Sequence, residues 1–125
     1  MKKYTLLMLF ASAICHLSAA TFTIDKLSFD TICGNECVVY ATAPFCLYGS
    51  INIPSHIEFC GQSYAVTAIR GDAFRGSKIS RVKIPATVRE IGPMAFLGTK
   101  IKTIEIPSSV RIIQQHDIND GVIKK

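Results

Sequence analysis

The chain has 125 residues, 49% of them hydrophobic and 18% charged, and its 14 lysines and arginines outnumber nine acidic residues to give a net charge of +5. This length corresponds to one domain with a small core. No apolar stretch reaches the roughly 20 residues that a membrane-spanning helix needs, which excludes a helical transmembrane anchor.

The N-terminus contains the three parts of a secretory signal. Lys2 and Lys3 give a basic start, an apolar run follows at Tyr4–Ile14, and Ser18-Ala19-Ala20 supplies small residues before a cleavage site. This order predicts export, with residues 1–20 removed as a signal peptide by cleavage after Ala20. A buried N-terminal helix is the structural alternative.

A second alternative is a lipoprotein that is cut just before Cys15. The residue ahead of this cysteine is Ile14, whereas such sites have Gly, Ala or Ser there. The sequence therefore favours a secreted or cell-surface protein cleaved after Ala20 over a lipoprotein.

Four cysteines remain after signal removal, and all of them precede the repeats described below: Cys33, Cys37, Cys46 and Cys60. An even number in an exported chain indicates disulfides, with three possible connectivities. If Gly34-Asn35-Glu36 is a three-residue hairpin loop, Cys33 faces Cys37 across it, which leaves Cys46 to pair with Cys60. The Cys33-x-x-x-Cys37 spacing would also permit zinc, but export to an oxidising compartment argues against a metal site.

Charge is distributed unevenly along the mature chain. Residues 21–65 contain one lysine and four acids, for a net charge of −3, whereas residues 66–111 contain nine lysines and arginines and three acids, for a net charge of +6. The remaining tail is neutral. The basic excess in the second half favours an anionic partner, although a solvated surface explains it as well.

The second half consists of repeats with a period of 22 residues. Residues 66–87 and 88–109 align without a gap and share nine identities, and partial copies stand at 51–57 and 110–117. The first interval is longer than one period because of nine additional residues, 58–66. These residues place Cys60-Gly61-Gln62 between apolar positions, which predicts an inserted β-hairpin.

The repeated positions fit one coil of a β-solenoid. Ile79, Val82 and Ile84 alternate with polar residues and are predicted to point inward from a short strand, which Pro85 then ends. The Ala-Phe pair at 73–74 fills the following turn, as does its counterpart at 95–96. One coil cannot cover its own apolar side, whereas stacked coils can. Two similar hairpins in a sandwich are the alternative.

The segments on either side of the solenoid, residues 51–117, are predicted to cap it. Alternating apolar residues in 21–50 indicate a three-stranded β-meander that covers the first coil. At the other end, the Asp120-Gly121 turn lies between apolar residues, which predicts that 118–125 forms a capping hairpin. A frayed tail is the alternative for this last segment.

The pattern V-x-x-I-x-x-x-A-F-x-G-x-x-I-x-x-V/I-x-I-P, present from about Tyr48 to Ile113, resembles the BspA-type leucine-rich repeat. The resemblance implies a mainly β leucine-rich-repeat solenoid with short helical or 3₁₀ turns, in a secreted or surface-exposed protein that binds host, matrix or neighbouring-cell macromolecules. Three features depart from the family pattern. Ser77 and Thr99 replace a usual Cys, Arg70 replaces a usual Gly, and only two complete repeats are present.

Chemical motifs are lacking in the sequence. His56 and His116, the histidines of the mature chain, have neither metal-ligand spacing nor a neighbouring nucleophile, and the chain has no phosphate-binding loop, nucleophile elbow or carboxylate pair. We therefore expect neither an enzyme nor a cofactor, and we expect the partner to be an extracellular protein or anionic glycan rather than a nucleic acid. A short structural or degenerate repeat protein, whose repeats serve only folding or self-association, is the alternative.

The most probable partner surface on this reasoning is the outward side of the repeat strands. Arg81 and Lys83 point away from the core, and the next copy places Thr103 and Glu105 beside them, with Lys102 adjacent. Lys83 and Glu105 are expected to attract each other, which leaves Arg81 and Lys102 as unbalanced charges. These residues predict weak binding to an anionic glycan or another polyanion.

Overall fold

The computed structural model describes residues 21–32, 34–114 and 123–124 of the chain. The predicted signal peptide and Cys15 lie outside the described residues, as does most of the predicted C-terminal hairpin. The described part consists of short strands connected by turns. The strands are β1 Thr21–Ile24, β2 Leu27–Thr31, β3 Glu36–Ala41, β4 Tyr48–Asn52, β5 His56–Phe59, β6 Gln62–Ile69, β7 Lys78–Lys83, β8 Glu90–Ile91, β9 Ile104–Glu105, β10 Ile112–Ile113 and β11 Ile123–Lys124, and a 3₁₀ helix spans Pro44–Cys46.

The first three strands form the predicted antiparallel meander. β1 pairs with β2 through the turn at Asp25-Lys26, and β2 pairs with β3. Alternate residues of β2 and β3, such as Phe29 and Val39, are fully buried. This part of the prediction is confirmed, since two-residue alternation places one side of each strand on the core.

The third strand also belongs to the solenoid. β3 runs parallel to β6, with Glu36 opposite Ala65 and Val39 opposite Ile69. The backbone continues this match, because the Arg70 N–H donates to Val39 O at 3.0 Å and the Ala41 N–H donates to Ala73 O at 3.0 Å. The lead-in therefore closes one side of the first coil by direct strand pairing.

The insertion before the first complete repeat is a β-hairpin, as predicted. β5 and β6 pair antiparallel and are connected by Cys60 and Gly61. Both residues have positive φ angles, 53° and 73°. Two consecutive left-handed residues are typical of the tight turn that matches the twist of paired strands.

The remaining strands stack as parallel coils. One column contains β3, β6, β8 and β10, and the other contains β4 with β7 and β9 with β11. Backbone hydrogen bonds connect residues about one repeat apart, including Phe74 N–H to Ala95 O at 2.8 Å and Gly92 N–H to Ile69 O at 2.8 Å. The solenoid prediction is confirmed, because each coil finds its hydrogen-bond partners in the next one.

The core runs through the centre of the stack. The inward residues predicted for each repeat strand are buried, and so are the two Ala-Phe pairs: Ala73, Phe74, Ile79, Val82, Ile84, Val88, Ile91, Ala95, Phe96, Ile101, Ile104 and Ile106. The Ala-Phe segments are hydrogen-bonded turns rather than helices, with the Ser77 N–H donating to Phe74 O at 3.1 Å. Phenylalanine at this position fills the space between strand columns.

At the C-terminal end, β11 pairs in parallel with β9, with Ile123 opposite Ile104 and Lys124 opposite Glu105. β11 therefore extends the second strand column, which contains β4, β7 and β9. The predicted Asp120-Gly121 turn lies outside the described residues, so the capping hairpin stays a prediction.

Candidate strand-face binding site

The candidate site is the solvent side of the second strand column. In β7 the side chains of Ile79 and Val82 enter the core, whereas Lys78, Arg81 and Lys83 are exposed. The same pattern recurs one repeat later. We define the strand face as the exposed side chains of β4, β7 and the segment 100–105: Tyr48, Ser50, Asn52, Lys78, Ser80, Arg81, Lys83, Lys100, Lys102, Thr103 and Glu105.

Strand pairing sets these side chains in rows. Tyr48 is opposite Lys78, Ser50 is opposite Arg81, and Asn52 is opposite Lys83. The next coil continues each row, because the Lys100 N–H donates to Ile79 O at 3.0 Å. Paired strands lie about 4.8 Å apart, so the outward side chains of neighbouring coils form one continuous surface.

The five sequence-predicted site residues meet on this surface. Arg81, Lys83, Lys102, Thr103 and Glu105 are all exposed. Thr103 follows Arg81 by one repeat, and Glu105 follows Lys83. The expected attraction between Lys83 and Glu105 does not produce an ion pair within the described part of the chain.

Positive charge on the strand face is largely uncompensated. Five cations, Lys78, Arg81, Lys83, Lys100 and Lys102, share the surface with the single acid Glu105. Among residues 21–32 and 34–114, none of these cations forms an ion pair. The surface therefore presents a local positive potential to solvent.

Two arginines of the other strand column are neutralised instead. Arg89 Nη2 lies 2.6 Å from Glu36 Oε1, and Arg70 Nη1 lies 3.5 Å from Asp30 Oδ2. Both pairs join a repeat arginine to an acid of the lead-in strands. The acids of the lead-in thus neutralise arginines of the strand column that contains β6 and β8. The cations of the strand face keep their charge.

Sequence reasoning missed six members of the strand face, of which two lysines and a tyrosine are charged or aromatic. Lys78 and Lys100 are an identical pair of the repeat, and their common phase was the signal that would have found them. Tyr48 is 68% exposed, and Lys26 Nζ lies 4.8 Å from the centre of its ring. Its position was obscured because the inserted hairpin shifts β4 out of the 22-residue phase.

A groove of about 720 Å³ borders this surface. It lies between the turn connecting β1 with β2 and the outer edge of β4, and its lining combines apolar residues such as Ile24 and Ile51 with Ser50 and Asn52. Lys26 lies at the same place. The strand face and the groove thus share the polar side chains of β4.

Both predicted disulfide pairings are wrong, because Cys37 and Cys46 are free thiols. The residue opposite Cys37 in the meander is Thr31 rather than Cys33, and the Ile32 N–H donates to Glu36 O at 2.9 Å. The register of β2 against β3 is thus shifted by two residues from the predicted one. Cys33 itself lies outside the described residues.

The predicted Cys46–Cys60 disulfide is absent because the two cysteines belong to separate segments of the fold. Cys46 ends the 3₁₀ helix ahead of β4, whereas Cys60 lies in the β5–β6 turn. That turn contacts the loop before β3, where Gln62 Nε2 donates to Asn35 Oδ1 at 2.9 Å. Burial raises the pKa of the Cys37 thiol to about 12, which keeps it protonated and unreactive.

The described residues contain no cluster of three or more metal-ligating side chains and no helix long and apolar enough to cross a bilayer. His56 is exposed and its Nδ1 lies 3.1 Å from the Ser55 hydroxyl. His116 lies outside the described part of the chain. His56 is the first residue of β5 and is paired with Ala65.

Comparison with protein families identifies the repeat. The model of the BspA-type leucine-rich repeat region, described as six copies, matches residues 45–120. This chain belongs to the BspA-type leucine-rich repeat family. A comparison with curated proteins finds no match.

Solved structures of leucine-rich repeat proteins agree with this assignment. A leucine-rich repeat protein from Bacteroides ovatus is 33% identical over 72% of this chain, with a TM-score of 0.61. A leucine-rich cell surface protein from Faecalibacterium prausnitzii is 25% identical over 85% of it, with a TM-score of 0.68. A protein from Bacteroides capillosus, 20% identical over 84% of this chain and matched over 99% of its own length, shares the fold with a TM-score of 0.58. The chain spans 24% of the first structure and 30% of the second.

One departure from the BspA-type pattern follows from the neighbouring coil. The α-carbon of Gly92 faces the backbone of the preceding coil so closely that an added Cβ would lie 2.9 Å from Gly71 Cα. Arg70 occupies the same repeat position in the first copy, where the neighbour is β3. Its guanidinium instead lies 4.7 Å from the centre of the Tyr40 ring. Glycine is thus needed only where two repeat coils meet.

Another departure concerns the position that follows the repeat glycine. Ser77 and Thr99 are buried there, where BspA-type repeats usually have cysteine. The Thr99 hydroxyl donates to Phe96 O at 2.9 Å, whereas the Ser77 hydroxyl has no hydrogen-bond partner among the described residues. A buried polar group without a partner is destabilising.

Proposed function

We propose that this BspA-type protein is an exported, surface-exposed binding module whose strand face binds an anionic macromolecule, either a protein or a glycan. The observation that carries the proposal is the set of five unpaired cations on one exposed surface beside a single acid. Electrostatic attraction of this kind steers association and selects partners by charge. The proposal includes no catalytic step.

Export is supported by the sequence and by one relative. Lys2 and Lys3, the apolar run and the small residues before Thr21 have the order of a secretory signal. The similar protein from Faecalibacterium prausnitzii is described as a cell surface protein. The test is the intact mass of the exported protein: an N-terminus at Thr21 is expected, and a lipid-modified N-terminus at Cys15 would contradict it.

Adhesion through the strand face is tested by changing its charge. Binding of the wild type to immobilised extracellular matrix and acidic polysaccharides is compared with an Arg81→Ala/Lys83→Ala/Lys102→Ala variant. We expect binding to decrease as salt rises, because exposed charges are screened within about 8 Å at physiological ionic strength, and to be lost in the triple variant.

The matched control neutralises arginines outside the strand face. Arg70, Arg75 and Arg89 each pair with an acid, so an Arg70→Ala/Arg75→Ala/Arg89→Ala variant loses the same formal charge from other surfaces. It is expected to retain binding. Equal binding by the wild type and the strand-face variant would contradict the proposed surface and favour a purely structural role for the repeats.

A further inference from the structure

The strand face combines three kinds of side chain at the end nearest the lead-in. The first kind is cationic: Lys78 lies opposite Tyr48 in the strand register and Lys100 follows in the next coil, whereas Lys26 Nζ lies over the tyrosine ring, 4.8 Å from its centre. Three lysines, two from consecutive repeat coils and one from the β1–β2 turn, thus share this end of the surface with one aromatic ring.

The second kind is aromatic and unusually open to solvent. Tyr48 is 68% exposed and Phe45, three residues earlier, is 78% exposed. In the next coil the residue opposite Tyr48 is Lys78, and Lys100 follows one repeat later, so among the described residues the later coils have no aromatic side chain in this row. Exposed rings cost free energy in water and are enriched where proteins bind other molecules.

The third kind is polar and uncharged. Ser50 and Asn52 alternate with the inward residues of β4, and Thr103 lies between Lys102 and Ile104. Hydroxyl and amide groups both donate and accept hydrogen bonds, whereas ammonium groups only donate. A ligand that complements all of these must contain acceptors, donors and negative charges together.

We infer that the strand face is a binding site for an acidic polysaccharide, with Tyr48 as the ring on which one sugar residue packs. Sulfate or carboxylate groups of the polymer meet Lys78 and Lys100, and sugar hydroxyl groups meet Ser50 and Asn52. The apolar side of a pyranose ring packs on the aromatic side chain. The inference rests on the proposed function and specifies its ligand class.

The arrangement of the surface in rows agrees with an extended polymer. The outward side chains of parallel strands repeat about every 4.8 Å across the stack, so the cations form rows. A linear polysaccharide with a charge on each repeating disaccharide can follow such rows over several coils. An acidic polypeptide supplies the charges but no ring of hydroxyl groups, and a nucleic acid supplies phosphates and planar bases rather than such a ring.

The test measures binding to three polyanions at equal charge concentration: chondroitin sulfate, poly-glutamate and a 30-residue single strand of deoxythymidylate. Each is titrated against the wild type, Tyr48→Ala and Tyr48→Phe. We expect chondroitin sulfate to bind most tightly, and Tyr48→Ala to weaken that binding by about fivefold or more, the effect of losing one central aromatic contact. Tyr48→Phe retains the ring and should restore most of the affinity.

Two further variants separate packing from charge. Lys78→Ala/Lys100→Ala should weaken binding of all three polyanions, whereas Tyr48→Ala should change binding of poly-glutamate by less than about twofold. Tighter binding of poly-glutamate than of chondroitin sulfate would overturn the inference and leave the proposed function standing, as would an unchanged glycan affinity in Tyr48→Ala. Tightest binding of the DNA strand would overturn both, because the proposed partner is a protein or a glycan. If none of the three polyanions binds, the proposed function itself fails.

Discussion

Phe74 and Phe96 stack on each other with ring centroids 5.3 Å apart and ring planes inclined by 3°. Both side chains are fully buried, and they occupy the same position in consecutive repeats. Replacing Phe96 with alanine removes one ring and leaves its neighbour beside a cavity. We expect Phe96→Ala to lower the free energy of unfolding by about 3–5 kcal/mol, measured by denaturant unfolding.

The matched comparison for this variant is Arg89→Ala. Arg89 is exposed and pairs with Glu36 on the surface, and exposed ion pairs contribute about 0–1 kcal/mol. We therefore expect only a small change in the unfolding midpoint. Similar midpoints for the two variants would show that the inward and outward assignments do not describe the folded chain.

Gly92→Ala tests the close approach of consecutive coils. The backbone of Gly92 does not require a positive φ, but an added methyl group would collide with Gly71 and with the carbonyl carbon of Arg70. We expect a loss of about 1–3 kcal/mol or more in unfolding free energy, because the obstructing atoms are backbone. Arg70→Gly, at the same repeat position, is expected to lose less, since it removes only an exposed ion pair and a ring contact. A tolerated Gly92→Ala would mean that the coils are spaced more widely.

Ser77 and Thr99 occupy equivalent repeat positions, but removing their hydroxyl groups is expected to change the free energy of unfolding in opposite directions. Ser77→Ala removes a buried hydroxyl without a partner and should raise the unfolding free energy by about 1 kcal/mol or more. Thr99→Val removes a hydroxyl that donates to Phe96 O and should lower it by about 1 kcal/mol. Thermal unfolding of both variants measures the difference. Destabilisation by Ser77→Ala would indicate a bound water on that hydroxyl.

The two free thiols are expected to react at different rates. Cys46 is exposed, whereas Cys37 is buried and its pKa is raised to about 12 by that burial. At pH 8 a maleimide reagent should label Cys46 in the native protein and label Cys37 only after unfolding, because only the accessible thiolate reacts. Rapid labelling of Cys37 without denaturant would contradict its position in the core.

The solenoid could be predicted because the pattern of apolar residues that specifies each coil lies within one repeat and recurs every 22 residues. The spacing of Ile79, Val82 and Ile84 determines which side of a strand faces the core, and the 22-residue period places each coil on the next. The outward positions of Arg81 and Lys83 follow from the same alternation. A resemblance based on Ile-Pro and Ala-Phe in phase identified the family for the same reason.

Pairing between strands that are far apart in the sequence could not be predicted from the repeat pattern. The parallel contact of β3 with β6 joins segments that no repeat relates, so the sequence indicated only an antiparallel meander. The register of β2 against β3 could not be read from the loop sequence, and a shift of two residues places Thr31 rather than Cys33 opposite Cys37. Tyr48 was missed because the β5–β6 hairpin lies between β4 and β7 and breaks the 22-residue period that relates the repeat strands.

The close match between consecutive coils has a consequence for evolution. The Gly92 N–H donates to Ile69 O, and one repeat later the Gln114 N–H donates to Ile91 O at the equivalent position. A tandem duplication of residues 88–109 would therefore insert a coil whose two neighbours are already compatible with it. Each such event would also add another Lys100 and Lys102 to the row. Recombination can thus lengthen the array and its row of cations without requiring any new kind of contact between coils.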